Sequence, residues 1–216
     1  GVLLGAWTPI DNGPRNVLDI GSGTGIIALM LAQRSLAQEI DAVEIDPEAH
    51  EQCVDNFEAS PWGDRLFCYH AEFTEFVAEM YEEDEVYDLI VSNPPFFFET
   101  MSSGNDQRDL ARMESALPFE DLIEGVSLIL SPKGIFTVII PFKAESEFIE
   151  LAKKFQLYPF KITRVKGSPD SEIKRSLLAF SFSPIEPKID LLTIETERHL
   201  YTPEYMALTK DFYLKM

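Results

Sequence analysis

Val17-Leu18-Asp19-Ile20 runs directly into Gly21-Ser22-Gly23-Thr24-Gly25 and then into Ile26 to Arg34, whose apolar spacing is helical. No other stretch restricts the fold as strongly. A short apolar strand, a turn of alternating glycines and a helix make the opening half of a strand-helix-strand unit. The same alternation continues along the chain, with strands expected near 17–20, 40–45, 66–70, 87–92, 134–140, 160–165 and 177–182. That pattern predicts an α/β fold: a mostly parallel seven-stranded sheet with helices on both faces. A helix is expected near Glu145 to Phe155. The last two strands are joined only by Lys166 to Ser176, too short for a helical crossover, so they should form an antiparallel hairpin. Beyond Pro187 a strand at Leu191 to Ile194 and a helix at Pro203 to Leu214 are expected to pack on the domain. With 216 residues and 45% hydrophobic content, one domain over 1–216 suffices, with roughly 186–216 as a packed extension.

The glycine spacing narrows the ligand. A dinucleotide fingerprint G-x-G-x-x-G requires glycine at position 26, where the chain has Ile26. The G-x-G-x-G spacing after an aspartate suits a ligand carrying an ammonium and a carboxylate. Asp19 is the candidate for the ammonium. Gly21, Gly23 and Gly25 let backbone approach closely, and N–H groups opening the helix favour the carboxylate. About twenty residues on, Ile40-Asp41-Ala42-Val43-Glu44-Ile45-Asp46-Pro47 reads as a buried strand ending in carboxylates, as ribose recognition requires. Glu44 is the ribose-hydroxyl candidate, with Ile45 beside it. Asp46, followed by Pro47 and Glu48, fits the N-cap of a helix through Ala59. After a short strand at Leu66 to His70 comes Ala71-Glu72-Phe73. There Glu72 either accepts from an adenine amino group or is a solvated loop carboxylate.

The reactive turn follows Asp88-Leu89-Ile90-Val91-Ser92 as Asn93-Pro94-Pro95-Phe96. An exocyclic amine is a poor nucleophile because its lone pair is delocalised into the neighbouring π system. The side-chain oxygen of Asn93 and the carbonyl of Pro94 are two acceptors for one NH2 group, able to rotate that lone pair out of the plane. Pro94 and Pro95 fix φ and stiffen the turn. Phe96 offers a ring for a planar base to stack on. The alternative is a rigid strand-to-loop turn with a core phenylalanine.

Taken in order, these motifs resemble the class I methyltransferases that use S-adenosyl-L-methionine and carry an N-P-P-[FY] turn. Gly1-Val2-Leu3-Leu4-Gly5-Ala6-Trp7, the pairs Gln107-Arg108 and Ala111-Arg112, and Tyr201-Thr202-Pro203-Glu204-Tyr205 through Phe212-Tyr213-Leu214 resemble one family within them. That family is the tRNA1(Val) (adenine(37)-N6)-methyltransferases. The resemblance implies a Rossmann-like class I methyltransferase fold and methylation of adenine N6 next to the anticodon of tRNA(Val). It further implies S-adenosyl-L-methionine held by Gly1, Asp19, Gly21, Gly23, Gly25, Glu44, Ile45, Ala71, Glu72 and Asn93, with Asn93, Pro94, Pro95 and Phe96 catalytic. A Thr-Asp pair usually precedes the first glycine in this family and is expected ahead of Gly1. The same turn also serves enzymes that methylate a release-factor glutamine, ribosomal RNA guanine or DNA adenine, and these are the alternatives.

Charge is the awkward property for an RNA enzyme. The net charge of −19 repels a polyanion, yet residues 1–100 hold 3 basic and 20 acidic side chains, so the acid is concentrated at the front. Between Leu151 and Arg175 the sign reverses. Lys153, Lys154, Lys161, Arg164, Lys166, Lys174 and Arg175 face only Asp170 and Glu172 there, which makes this the candidate phosphate-facing patch. A solvated helix face with an exposed hairpin is the alternative. The segment Phe97 to Glu114 reads as a mobile lid in which Arg108 and Arg112, four apart, clamp a phosphate or stack on a splayed base. Cys53 and Cys68 are too few for a disulfide framework, and His50, His70 and His199 lack metal-ligand spacing, so no metal is expected. No signal peptide or membrane-length apolar run is visible. A monomeric cytoplasmic enzyme is the expectation.

Overall fold

A computed structural model describes residues 1–95 and 117–214. Helix α1 (Val2–Trp7) leads into strand β1 (Asn16–Ile20), and the glycine turn joins β1 to helix α2 (Ile26–Arg34). Strand β2 (Glu39–Glu44), helix α3 (Pro47–Glu58), strand β3 (Leu66–His70), helix α4 (Phe73–Glu82) and strand β4 (Tyr87–Ser92) follow, close to the boundaries expected from sequence. After the undescribed segment come helix α5 (Phe119–Ile129), strand β5 (Leu130–Pro141), helix α6 (Glu145–Lys154), strand β6 (Tyr158–Lys166) and strand β7 (Ile173–Ser181). The tail adds strand β8 (Lys188–Thr193), a small pair β9 (Glu195–Glu197) and β10 (Leu200–Tyr201), and helix α7 (Pro203–Thr209).

The main sheet has the order β3-β2-β1-β4-β5-β7-β6-β8. It therefore has eight strands where seven were expected. β8 pairs parallel to β6, Lys161 opposite Lys188 through Lys166 opposite Thr193, so the tail strand extends the sheet at its edge. β7 runs antiparallel to both β5 and β6, which confirms the terminal hairpin. The tail helix ends at Thr209 and tightens into a 3-10 turn over Lys210–Phe212, short of the expected Leu214.

Each face of the sheet carries its own core. On one face Leu18, Ile90, Phe136, Ile162 and Phe180 pack under α4, α5 and α6 through residues such as Phe76, Leu122 and Phe148. On the other, Val17, Leu89, Val165 and Leu177 pack under α1, α2, α3 and α7 through Leu4, Leu31, Phe57 and Tyr205. Alternate residues of one strand thus serve opposite layers, as the pleat dictates. Asp46 caps α3 as its Asp-Pro-Glu context implied: Oδ1 accepts from the Ala49 N–H at 2.8 Å, with Pro47 opening the helix. Asp46→Ala should cost about 1 kcal/mol. Urea unfolding of the variant should show a lower midpoint at an unchanged slope.

Candidate active site

The strand register gathers the sequence motifs along one edge of the sheet. Ile20 lies opposite both Val43 and Ser92, and Glu44 lies opposite His70. Gly21, Glu44, Ala71 and Asn93 therefore leave four adjacent parallel strands at their C-terminal ends, each about 4.8 Å from the next strand. The order reverses between β1 and β4, and ligands of open α/β sheets bind in the crevice at such a switch point. Ser92 ties the two strands together there, its Oγ donating to the Ile20 carbonyl at 3.1 Å.

Asp19 is the least ordinary residue of the edge. Its side chain is completely buried; Oδ2 accepts from the Ala28 N–H at 3.1 Å, whereas Oδ1 has no partner. Burial raises its carboxyl to about 7, against the lowering effect of the Ala28 bond, and the charge of Glu44 raises it further. Gly1 caps α1 beside the start of α2, where a Cβ on it would meet Ile26 Cγ2 at 3.1 Å. A buried oxygen with no hydrogen bond is costly unless something completes it, and an ammonium does so best.

The glycine turn is held from several sides. Gly21 and Ser22 donate to the Val43 carbonyl, Gly25 to the Ser22 carbonyl, and Asn56 Nδ2 to the Thr24 carbonyl at 2.9 Å. A Cβ on Gly25 would come within 2.5 Å of the Phe57 ring and 2.8 Å of Cys53 Sγ, so this glycine is required by packing as well as by its positive φ. Gly21 and Gly23 differ: a Cβ on either would meet nothing within 4 Å, which leaves their backbone open to a ligand. Glu44 accepts from the Gly23 N–H at 2.7 Å through Oε2 and from the Asp46 N–H at 2.9 Å through Oε1. Each oxygen keeps a lone pair for a ribose hydroxyl. Ile45 is 44% exposed at the head of the following loop, and its carbonyl faces His70 Nε2 at 3.0 Å. Glu72 is exposed and accepts from its neighbour Thr74 at 2.8 Å. Asn93 is half-buried, Pro94 buried and Pro95 exposed. Phe96, Arg108 and Arg112, with the lid expected between Phe97 and Glu114, lie outside the described residues.

The basic residues of the expected patch are brought together only in part. β6 runs parallel to β5 and β4, so Lys166 sits at the same edge as Asn93, and Lys174 and Arg175 at the start of β7 sit beside it. Lys153 and Lys154 end α6, just before β6 begins at the opposite edge. The eight residue steps from Tyr158 to Lys166 make that separation roughly 26 Å. Several of the cations are also engaged. The Lys161 ammonium lies 4.3 Å from the Trp7 ring centroid, Lys153 pairs with Glu150 at 2.7 Å, and Lys166 donates to the Pro169 carbonyl. Arg164 clamps the buried Glu145 through two nitrogens, at 2.7 and 3.1 Å, while Ser176 completes that carboxylate. Sequence reasoning did not find the supporting contacts of Asn56, Ser92 and His70, because each joins segments far apart in the chain and carries no local pattern.

A Rossmann-like sheet whose switch point combines an acidic glycine turn, a strand-end glutamate and an Asn-Pro-Pro turn defines the class I methyltransferases. The Methyltransferase small domain family matches residues 7–159. A tRNA1(Val) (adenine(37)-N6)-methyltransferase of Flavobacterium johnsoniae is 64% identical over all of this chain and 91% of its own length. Relatives of the same name from Christiangramia forsetii and Bacteroides fragilis are 56% and 44% identical, each over all of this chain and 90% of its own length. Among solved structures, one described as a predicted O-methyltransferase from Agrobacterium tumefaciens superimposes with a TM-score of 0.74 at 21% identity, covering 97% of this chain and 94% of its own. A TehB-like SAM-dependent methyltransferase from Corynebacterium glutamicum gives 0.53 at 15% identity over 83% and 84%. The two structures support the fold alone. The chain belongs to the tRNA1(Val) (adenine(37)-N6)-methyltransferase family.

Proposed function

We propose that this protein transfers a methyl group from S-adenosyl-L-methionine to N6 of adenine 37, beside the anticodon of tRNA(Val). The observation that carries the reading is the placement of Asn93 one strand away from Gly21 and the unpartnered, buried Asp19 oxygen. Asp19 holds the cofactor ammonium, the open backbone of Gly21 and Gly23 lies along its amino-acid portion, and Glu44 takes ribose hydroxyls. Ile45, Ala71 and Glu72 border the adenine. Bound S-adenosyl-L-methionine supplies an electrophilic methyl on a sulfonium sulfur that departs as a neutral thioether. The side-chain oxygen of Asn93 and the carbonyl of Pro94 accept from the target NH2, turning its lone pair towards that methyl. As the N–C bond forms and the C–S bond breaks, the nitrogen gains positive charge. The same two acceptors stabilise it until one proton leaves to water, so no basic side chain is needed. Holding the reactants in line contributes most, up to roughly 7 to 11 kcal/mol in favourable intramolecular cases. An anticodon-loop base costs less to splay than one in a duplex. The reading also takes the chain as one domain: β8 is joined to the main sheet and Tyr205 to its core.

Incubation with labelled cofactor and either total tRNA or a release-factor protein, followed by nucleoside analysis, tests the assignment. Label in N6-methyladenosine of tRNA is expected, and label in glutamine of the protein overturns it. For the RNA-facing surface, the reactive edge favours Lys166, Lys174 and Arg175 over Lys153, Lys154 and Lys161. Lys166→Glu with Lys174→Glu should weaken tRNA binding and lower the slope of log affinity against log salt by about 2, one for each phosphate deprived of its lysine. Lys153→Glu with Lys154→Glu should change that slope much less. Equal effects of the two pairs on binding and slope would place the RNA elsewhere.

A further inference from the structure

The outer edge of β3 is built like a docking strand. β3 ends the sheet, and among the described residues no strand pairs with its free side. Pairing with β2 starts at the Ile40 N–H on the Arg65 carbonyl, so Leu66, Cys68 and His70 turn their backbone groups outwards, as alternation in a parallel ladder requires. One of these, the Cys68 carbonyl, faces His50 Nε2 at 3.1 Å. Such an edge is normally blunted by lysine, proline or a bulge. This one carries exposed aromatics instead: Phe67 is 44% and Tyr69 39% accessible, both on the face of α4, where Tyr69 contacts Phe76 at 5.4 Å between centroids. The preceding cation is withdrawn, since Arg65 donates to the Ala32, Ser35 and Ala37 carbonyls. At the opposite edge, β8 is guarded by Pro187 at its start and by the Lys188–Asp190 ion pair.

Charge identifies the occupant. Glu39, Glu79 and Glu83 are exposed, Asp41 lies opposite Phe67 in the β2–β3 register, and the charges of all four act on the Tyr69 hydroxyl. Burial first, and then these carboxylates, push that hydroxyl up to about 12. An RNA or an anionic lipid surface is repelled by this field, and so is a second copy of a chain with net charge −19. A cationic polypeptide is attracted. We propose that β3 docks an extended, lysine- or arginine-rich segment of a partner protein by strand addition. The outward backbone groups of Leu66 and His70 and the Cys68 N–H supply the pairing, the Cys68 carbonyl being already matched to His50; Phe67 and Tyr69 receive apolar side chains, and the surrounding glutamates select basic ones. This surface lies at the sheet end away from the expected RNA-facing hairpin of β6 and β7, so both partners fit at once.

The test uses the full chain and a short peptide alternating lysine and valine, long enough to span 66–70, with a glutamate-valine peptide and oligolysine as controls. The lysine-valine peptide should bind and slow amide exchange at Leu66, Cys68 and His70, while the controls bind more weakly and protect nothing there. Glu79→Lys with Glu83→Lys, on the exposed face and end of α4, and separately Phe67→Lys, should each weaken binding about tenfold or more. Methyl transfer should stay unchanged in these variants, which keeps the result independent of the proposed reaction. Equal binding of oligolysine, protection away from β3, no binding at all, or a dimer dissociated by Phe67→Lys overturns the proposal.

Discussion

Asn93→Ala should lower the rate of methyl transfer by roughly a hundredfold or more while changing cofactor affinity much less, because the lost carboxamide oxygen acts mainly on charge that develops during transfer. The side chain is half-buried at the end of β4, so removing it leaves the core of that strand, Leu89 to Val91, intact. A single-turnover rate with tRNA, set beside calorimetric affinity for S-adenosylhomocysteine, separates the two effects. Loss of affinity without loss of rate would make Asn93 a cofactor contact only. A variant turning over at nearly the normal rate would remove the two-acceptor mechanism altogether.

The parts of this site that were legible in the sequence are those made by consecutive residues. Strand, glycine turn and helix are local, and so are the Asp46 cap and the Asn93-Pro94-Pro95 turn; their residue types are dictated by backbone geometry that the chain itself sets. What was hidden depends on distant neighbours. Helix α1 is only six residues long, and Gly5 within it serves close packing: a Cβ there would meet Met30 Sδ at 2.8 Å. Nothing local announces that contact. The basic patch shows the same limit in another form. Seven cations within twenty-five residues read as one surface, yet the pleat sends Lys161 to the face of Trp7 and Arg164 to the opposite face and Glu145. The Arg164 fork had a buried carboxylate to satisfy, and counting charges along the sequence does not reveal it. Likewise the pairing of Tyr87 with Asp41, at 2.7 Å, links residues 46 apart inside one core layer.

Asp19→Asn should weaken cofactor binding and, in the absence of cofactor, stabilise the protein at neutral and higher pH. Both effects have one cause. The folded-state carboxyl titrates near 7, whereas its ordinary value is 3.8. Raised in this way, the group contributes its full stability below the unfolded value and loses it as pH rises towards and through 7. The loss amounts to roughly 4 kcal/mol, three pKa units at about 1.4 kcal/mol each. Asp41, held at about 6 chiefly by burial, acts in the same direction and remains in the variant. The difference between wild type and Asp19→Asn, followed by urea unfolding, should therefore grow between about pH 4 and 8. Binding has the opposite pH dependence. Only the ionised carboxylate attracts an ammonium, so wild-type affinity for S-adenosylhomocysteine should rise as pH passes from 5 to 8. At pH 6 binding should release a proton, detectable calorimetrically in buffers of different ionisation enthalpy. The asparagine variant should bind more weakly, with neither the pH rise nor the proton release. If it bound as tightly as the wild type at pH 8, the buried oxygen of Asp19 would not be the ammonium site, and its missing partner would have to be a structural water.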